Sequence, residues 1–456
     1  MTAPEALAPE GEATYARRLG LFSGTMLVVG GIIGSGVFLN PSIVARRTGS
    51  ATLTMATWAL GAVIALLGAF LFAELGARRP EVGGGYAYLR DAFGPLPAFL
   101  YGWALLLAIA TGAIAAVAVT FATYATPLLG LPTSAIVPLA LAAIVLLSAV
   151  NTLGVQPGAV TQNVFTMLKL GALAALLVAA FFAPVVAAPA HATLAPPEGV
   201  RGILLAVSTA LVPVLFSYGG WQQTNFVAAE LRDPERTLPR ALVLGVLIVV
   251  VVYLGANVAY LRALHVDGLA ASVAPAADTM AIIAGSAGRR LIAAGIAAST
   301  FGFLNLVILV SPRVYQAMAR DGLFFASFAR LHPRFRTPVT AIVFQCLVAA
   351  ALVLTGSYGQ LLDWVVFADW IFFGTTALTL IVFRRRDAAA AVPDGGFRAP
   401  FFPLTLALFV GAALYVVFGS VASNPANAMR GVLLLGAGVP VFAYWRRTAT
   451  NVCVER

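Results

Sequence analysis

The chain has 456 residues, of which 61% are hydrophobic and only 10% are charged. A soluble domain carries about 25% charged residues, so this composition excludes a soluble enzyme, a disulfide-rich secreted scaffold and a disordered protein. The net charge of +10 does not indicate nucleic-acid binding, because the basic residues lie mostly in short segments between apolar runs.

Twelve apolar runs are long enough to cross a bilayer as helices, which we number as spans 1 to 12. They cover residues 20–44, 52–77, 96–126, 134–151, 160–183, 202–229, 239–262, 290–318, 338–356, 359–383, 401–422 and 428–445. Most of the 28 Lys and Arg residues lie on the side of the N-terminus, which predicts a plasma-membrane protein with both termini in the cytoplasm. The expected organisation is a tail at 1–19, spans 1–5 at 20–183, spans 6–10 at 202–383, spans 11–12 at 401–445 and a tail at 446–456.

Two of these spans are interrupted by glycine-rich stretches. Span 1 contains Gly30–Gly36 near its middle, and span 6 contains Phe216–Gln223 after Pro213. Glycine costs a helix about 1 kcal/mol per residue relative to alanine, and an unwound turn in lipid leaves polar backbone groups without partners. Such a break persists where it faces a cavity or a polar ligand. Close packing of small residues is the alternative interpretation.

The spacing of the breaks favours a binding site. They lie five spans apart, the arrangement of an inverted repeat of spans 1–5 and 6–10 in a secondary transporter. A half-helix that starts at Gly34-Ser35-Gly36 presents free N–H groups that suit a carboxylate. The carbonyl groups near Ile32 and Phe216 suit an ammonium group. Backbone groups alone would then hold the head of an α-amino acid, and side chains around the rest of the pocket would determine selectivity.

Several stretches point to a known family. They are Gly31–Phe38 in span 1, Ala73–Leu75 and Gly83–Leu89 after span 2, Phe216–Trp221, Asn225–Phe226, Glu230–Pro234 and Leu238–Pro239 in and after span 6, and Phe301–Gly302, Asn305, Arg313 and Ala319–Gly322 in and after span 8. Together they resemble the amino acid–polyamine–organocation (APC) superfamily, and within it bacterial members of the L-type amino acid transporter family. The resemblance covers residues 15–445.

The resemblance implies an all-α integral membrane protein with a LeuT-like fold, in which a five-plus-five inverted repeat with broken helices 1 and 6 is followed by two further helices. It also implies the substrate site. The N–H groups of Ser35 and Gly36 would meet the α-carboxylate, and the carbonyl groups of Ile32, Phe216 and Gly219 would meet the α-amino group. Phe216 would be the gate that closes over the substrate. The remaining expected pocket residues are Gly34, Ser217, Tyr218, Trp221, Gln222, Ile109 and Asn305.

Lys169 is the only lysine of the chain and lies inside span 5. Nine residues into that helix it is roughly 14 Å deep, near the middle of a hydrocarbon core of about 30 Å. An ammonium group there costs roughly 2.5–3.5 kcal/mol, so we expect it to face protein or water, with snorkelling to the inner interface as the alternative. We predict that Lys169 reaches the break in span 1. By the resemblance, it would occupy the place where sodium-coupled members of the fold bind Na⁺.

These features predict a sodium-independent transporter of neutral L-amino acids that works by alternating access. With Lys169 as a fixed cation the protein would be an exchanger, and with Lys169 as a titrating group it would be a proton-coupled symporter. A transporter of cationic amino acids or polyamines is a further alternative, for which only Asp363 and Asp369 in span 10 offer anionic partners. A structural role for these two aspartates is equally open.

No catalytic cluster, cofactor or metal site is predicted, because the three histidines are scattered along the chain, and we therefore expect no enzyme. In the resembled family, eukaryotic members attach a heavy subunit through a cysteine in the loop after span 3. Residues 127–134 contain no cysteine, so we expect no disulfide-linked heavy subunit. The expected partners are a small amino acid substrate and membrane lipid.

Overall fold

A computed structural model describes residues 14–183, 194–356, 358–390, 396–423 and 425–454, without the side chains of residues 358–367, 422, 423, 427 and 449–454. Within these ranges the chain is helical. It contains no strand there, only an isolated parallel bridge between Leu19 and Leu231. Most of the predicted N-terminal tail and the last two residues of the predicted C-terminal tail lie outside the described residues.

The helices follow one another along the chain. The first half contains α1 Leu21–Ile32, α2 Gly36–Thr48, α3 Ala51–Arg78, α4 Gly85–Phe93, α5 Pro95–Ala104, α6 Ala110–Leu128, α7 Ile136–Thr152 and α8 Val155–Phe182. The second half contains α9 Gly199–Tyr218, α10 Pro234–Ala271, α11 Pro275–Val310, α12 Pro312–Arg320, α13 Val339–Thr355, α14 Tyr358–Ala389, α15 Phe402–Ser423 and α16 Pro425–Val454.

Among the described residues, ten segments are long and apolar enough to cross a membrane when α1 and α2 are counted as one bent span. The two remaining predicted spans correspond to α13, an apolar helix of 17 residues, and to α14. Every predicted span therefore has a helix at its place, and the prediction of an all-α membrane protein with about twelve spans is confirmed. The division into repeats at 20–183 and 202–383 stays a prediction.

Both predicted breaks are present. In span 1, α1 ends at Ile32 and α2 begins at Gly36, with a bend of 41° between them. In span 6, α9 ends at Tyr218, Gly220 takes a φ of 109°, and residues 221–230 continue as a 3₁₀ helix. A φ of this value is easily adopted only by glycine, because it has no Cβ atom. The chain therefore changes direction at Gly220 without backbone strain.

Span 3 contains a third irregularity that the sequence did not predict. Residues Leu105–Ile109 form a π-helical turn between α5 and α6. The hydroxyl group of Thr111 donates a hydrogen bond of 2.7 Å to the carbonyl oxygen of Leu106, five residues earlier. Single π-helical turns often occur at functional sites, because the extra residue redirects the side chains around it. Here the turn ends at Ile109, one of the predicted pocket residues.

Candidate substrate site

A cavity of about 250 Å³ lies between the two breaks. Its lining combines both breaks with α2, α6, α11 and α14. The lining residues are Gly31, Ile32, Gly34, Ser35, Gly36, Leu39, Asn40, Ile109, Ala113, Ala116, Val117, Thr120, Leu215, Phe216, Ser217, Gly219, Gly220, Gln222, Gln223, Phe303, Asp369, Trp370 and Phe373. The two stretches that the sequence singled out therefore face a common hollow instead of lipid.

The two breaks touch through their backbones. A Cβ atom at Gly220 would lie 2.1 Å from the carbonyl oxygen of Gly31, and one at Gly31 would lie 2.8 Å from the carbonyl oxygen of Gly220. A Cβ atom at Gly36 would lie 2.7 Å from the hydroxyl oxygen of Ser217. These distances are shorter than a van der Waals contact, so only glycine allows spans 1 and 6 to approach this closely. Close packing and a cavity thus occur together here.

A side chain fixes α2 and α9, one half of each broken span, to each other. The amide nitrogen of Asn40 on α2 donates hydrogen bonds to the carbonyl oxygen of Pro213, at 3.0 Å, and to the hydroxyl oxygen of Ser217, at 2.8 Å. Pro213 cannot donate in the helix, and its carbonyl group also accepts from the hydroxyl group of Ser217. The pair α2 and α9 is therefore held as one unit beside the cavity.

The start of α2 offers hydrogen-bond donors to a ligand. Ser35 precedes the helix, and no side chain caps its N-terminus. The first N–H groups of a helix have no partner within the helix, and together with the helix dipole they attract a negative group. Ser35 and Gly36 both line the cavity, so their N–H groups are available to a carboxylate.

The carbonyl groups expected to receive an ammonium group differ from one another. The carbonyl oxygen of Ile32 lies 3.0 Å from the hydroxyl group of Tyr253 and accepts a second bond of 2.9 Å from the N–H group of Gly34. It therefore has other partners than the predicted one. The carbonyl oxygen of Phe216 accepts one bond, from the N–H group of Gly219 at 3.2 Å, and keeps one lone pair free. The carbonyl group of Gly219 has no described donor, and Gly219 lines the cavity.

Nine of the twelve predicted substrate residues line the cavity. They are Ile32, Gly34, Ser35, Gly36, Ile109, Phe216, Ser217, Gly219 and Gln222. Phe216, the predicted gate, is 41% exposed at the wall of the cavity. The side-chain oxygen of Gln222 accepts a hydrogen bond of 3.0 Å from the N–H group of Gly220, so it supports the break in span 6. Substrate contact and gating by these residues stay predictions.

The other three do not line the cavity. Tyr218 packs against Trp58 and Tyr253 behind the end of α9, with ring centroids 5.8 and 5.0 Å away. Trp221 lies in a separate aromatic cluster and contacts Phe72, with ring centroids 4.9 Å apart. The resemblance assigns these residues to a span, but it does not give the direction in which each side chain points. The expectation that they line the pocket failed for this reason.

Asn305 is the third of these residues, and protein groups fully satisfy its amide. Its nitrogen donates to the carbonyl oxygen of Gly158, at 3.0 Å, and to the side-chain oxygen of Gln162, at 3.1 Å. Its oxygen accepts a bond of 3.0 Å from the amide group of Asn151. Asn305 is completely buried among spans 4, 5 and 8. It therefore holds these spans together, in contrast to the pocket role expected from the resemblance.

Helical periodicity would have found most of the missed lining residues. On α6 they are Ala113, Ala116, Val117 and Thr120, which share one helix face with the predicted Ile109. On α2, Leu39 and Asn40 follow Gly36 by three and four residues. On α14, Phe373 follows Asp369 by four residues and Trp370 by three. Phe303 was not predicted, because the pocket residue expected on this helix was Asn305, which lies on the opposite side.

Lys169 lies at the break in span 1, with no exposed surface. Its ammonium group donates to the carbonyl oxygens of Gly30, at 3.2 Å, and Ile33, at 2.7 Å. Ser299 on α11 donates to the same Ile33 oxygen at 3.1 Å. Snorkelling to the interface, the alternative interpretation, does not occur, because the ammonium group is directed into the protein.

The two aspartates of span 10 have different outcomes. Asp369 lines the cavity and has no hydrogen bond or ion pair with any described residue. The side chain of Asp363 lies outside the described residues. Among the described residues, no group of three or more His, Cys, Asp or Glu side chains is placed to hold a metal ion.

Comparison with known proteins decides the family. Residues 19–438 match the amino acid permease family. The chain belongs to this family. The permease is 32% identical to the b(0,+)-type amino acid transporter 1 of Mus musculus, over 90% of its own length and 84% of the relative. It is also 32% identical to the large neutral amino acids transporter small subunit 2 of Mus musculus, over 98% of its own length and 85% of the relative.

A bacterial relative covers the permease almost end to end. The serine/threonine exchanger SteT of Bacillus subtilis (strain 168) is 30% identical over 93% of the permease and 96% of the relative. The resemblance to the APC superfamily is confirmed by these matches. The permease is therefore a multi-pass membrane protein that transports amino acids, in a family of transporters and not of enzymes.

Proposed function

We propose that this permease is a sodium-independent exchanger of neutral L-amino acids, with both termini in the cytoplasm and no disulfide-linked subunit. The observation that carries the proposal is the position of the Lys169 ammonium group, which is bonded to the carbonyl oxygens of Gly30 and Ile33 at the break in span 1. Lys169 therefore already uses the carbonyl oxygens that an ion would need there.

The argument against sodium coupling is chemical. Unwound backbone carbonyl groups at a broken helix are the groups that coordinate Na⁺ in secondary transporters. Two of these oxygens bind Lys169 here, and the like charge of an ammonium group repels a second cation in the low dielectric of the interior. A covalently attached cation does not cross the membrane with the substrate. It therefore cannot couple substrate uptake to an ion gradient.

Exchange follows from the absence of a coupled ion. A ligand shifts a conformational equilibrium through its different affinities for the two states. With no ion to promote the return of the carrier, the substrate on the opposite side is the remaining ligand that does so. The N–H groups of Ser35 and Gly36 and the carbonyl group of Gly219 suit the charged head that every α-amino acid has. Apart from Asp369, the side chains of the lining are apolar, aromatic, hydroxyl or amide groups, which supports neutral substrates.

The test is uptake into proteoliposomes that contain the purified permease. Radiolabelled alanine is offered to vesicles loaded with alanine and to empty vesicles, each with and without an inward Na⁺ gradient and a pH gradient. We expect uptake that requires internal alanine and does not respond to Na⁺. A requirement for Na⁺ contradicts the role of Lys169. Uptake into empty vesicles that responds only to the pH gradient instead indicates proton symport.

A further inference from the structure

Asp369 contributes the only charged side chain in the described lining of the cavity. It is the twelfth residue of α14, so it lies about 16 Å along the helix axis from the first residue, near the middle of the bilayer. A charged group at that depth is costly and normally faces a partner or a water-filled cavity. The carboxylate of Asp369 therefore needs a partner, either from the protein or from a ligand in the cavity.

The residues that the structure describes supply no such partner. No described residue donates a hydrogen bond to Asp369 or forms an ion pair with it. Lys169, the buried cation at the break in span 1, is bonded to Gly30 and Ile33 and does not line the cavity. On α14 itself, the neighbours of Asp369 in the lining are the aromatic residues Trp370 and Phe373.

A second acceptor of the same cavity also lacks a donor. The side-chain oxygen of Gln223 is buried and has no hydrogen-bond partner among the described residues. Gln223 and Asp369 come from different spans, and both line the cavity. An unsatisfied buried acceptor costs about 1–3 kcal/mol, and more when it is charged. Two acceptors without donors indicate that a ligand supplies the donors.

The charged head of an amino acid substrate does not supply the donor that Asp369 lacks. Its carboxylate is repelled by another carboxylate, and its ammonium group has the free carbonyl oxygens of Phe216 and Gly219 at the break. The substrate group left over is the side chain. We propose that Asp369 binds the substrate side chain and selects, among neutral amino acids, those whose side chains donate a hydrogen bond through a hydroxyl or amide group. This inference rests on the proposed function and names a substrate class within it.

The chemistry predicts strong discrimination against apolar side chains. A hydrophobic pocket distinguishes one methyl group from one hydroxyl group by only about 100-fold at most, whereas a site built to hydrogen-bond rejects the apolar analogue much more strongly. The reason is that an apolar analogue of the same size displaces water and leaves the carboxylate buried without a donor, whereas alanine is small enough to leave water beside the carboxylate. Threonine and valine have the same shape and differ in this one respect.

The experiment measures exchange of this pair by the full-length permease in proteoliposomes. For the wild type we expect threonine to be exchanged at least about tenfold faster than valine at equal concentration. Asp369→Leu removes the acceptor and should bring this ratio close to one. Asp369→Asn keeps a carbonyl acceptor and removes the charge, so it should retain part of the preference for threonine. Glu198→Gln, which removes an exposed carboxylate at the start of α9, should not change this ratio.

Two results would overturn the inference. One is a wild-type permease that exchanges valine as fast as threonine or faster. The other is a preference for threonine that persists unchanged in Asp369→Leu. If the variants do not fold, the wild-type ratio still decides. Alanine exchange tests the proposed function separately, and if it fails, thermal stabilisation of the detergent-solubilised wild type by threonine relative to valine still tests Asp369.

Discussion

At the scale of single residues, Lys169 shows how one side chain completes a broken helix. Its ammonium group bonds two carbonyl oxygens that the break leaves outside the helical pattern. The side chain of Lys169 passes close to Gly302, where a Cβ atom would lie in van der Waals contact with Cε, at 3.5 Å, and with the nitrogen, at 3.6 Å. The ammonium group of lysine is a compact charge, whereas the guanidinium group of arginine is planar and wider.

Replacing Lys169 should therefore impair both stability and exchange. Lys169→Met keeps the length and removes the charge, which leaves the carbonyl oxygen of Gly30 without its donor and should lower stability by about 1–3 kcal/mol. We expect alanine exchange to fall at least about tenfold, because the hydrogen bonds that join span 5 to the break in span 1 are lost. Lys169→Arg should lose exchange as well. Thermal unfolding and counterflow measure the two effects.

Met167→Leu, on an exposed side of the same helix, is the matched control and should behave like the wild type. Full exchange by Lys169→Met would show that the ammonium group is dispensable.

Asn305 permits a separate test of structure against binding. Because its amide bonds Gly158, Gln162 and Asn151 and does not line the cavity, Asn305→Leu should lower the unfolding temperature. The loss is expected to be about 1–3 kcal/mol, since buried polar groups on spans 4 and 5 lose partners. The ratio of threonine to valine exchange in the protein that remains folded should not change. A changed ratio with unchanged stability would instead assign Asn305 to the substrate pocket.

At the scale of helices, the two interrupted spans form one element. Their backbones meet at Gly31 and Gly220, and Asn40 fixes α2 to α9 beside that contact. Tyr253 reaches the same place from span 7, with its hydroxyl group 3.0 Å from the carbonyl oxygen of Ile32 and 3.1 Å from that of Ser217. Both breaks therefore share partners.

This contact predicts a sharp difference between two glycine substitutions. In Gly220→Ala the new methyl group would overlap the carbonyl oxygen of Gly31 at 2.1 Å, and the φ of 109° is unfavourable for alanine. We expect loss of folded protein or of exchange. Gly171→Ala lies in the regular helix α8 with no atom within 4 Å of the new methyl group, so it should be neutral or stabilising by up to about 1 kcal/mol.

Size-exclusion chromatography and alanine counterflow compare the two variants. Equal behaviour of the two variants would contradict the backbone contact between the breaks.

At the scale of the whole molecule, hydropathy was sufficient to locate the helices, because lipid requires long apolar segments with internally bonded backbones. The breaks were predictable as well, because glycine is costly in a helix, and its presence at positions 31 and 220 indicates a break or a close backbone contact. The cavity lining was only partly predictable. Asn40 and Gln223 line it while Trp221 and Asn305 do not, and this difference depends on helix rotation and on tertiary partners, which hydropathy does not contain.

The ends of the spans are joined by a buried ion pair. Arg313 on α12 contacts Glu230, at the end of the 3₁₀ segment of span 6, with Nε and Oε1 2.8 Å apart and neither side chain exposed. The ring of Tyr15 lies 5.8 Å from the guanidinium carbon, and Leu19 pairs with Leu231 next to it. This cluster connects the segment before span 1 with spans 6 and 8.

Removing one partner of this pair should be strongly destabilising. Arg313→Met leaves the Glu230 carboxylate buried and unpaired, at an expected cost of about 3–5 kcal/mol in the free energy of unfolding. The double variant Arg313→Met with Glu230→Gln removes both charges and should recover part of this loss. Glu81→Gln breaks a pair with Arg90 in which the Glu81 side chain is 48% exposed, and it should cost about 1 kcal/mol or less. Thermal unfolding in detergent measures all three variants, and a loss in Arg313→Met as small as that in Glu81→Gln would mean that the buried pair does not hold these spans together.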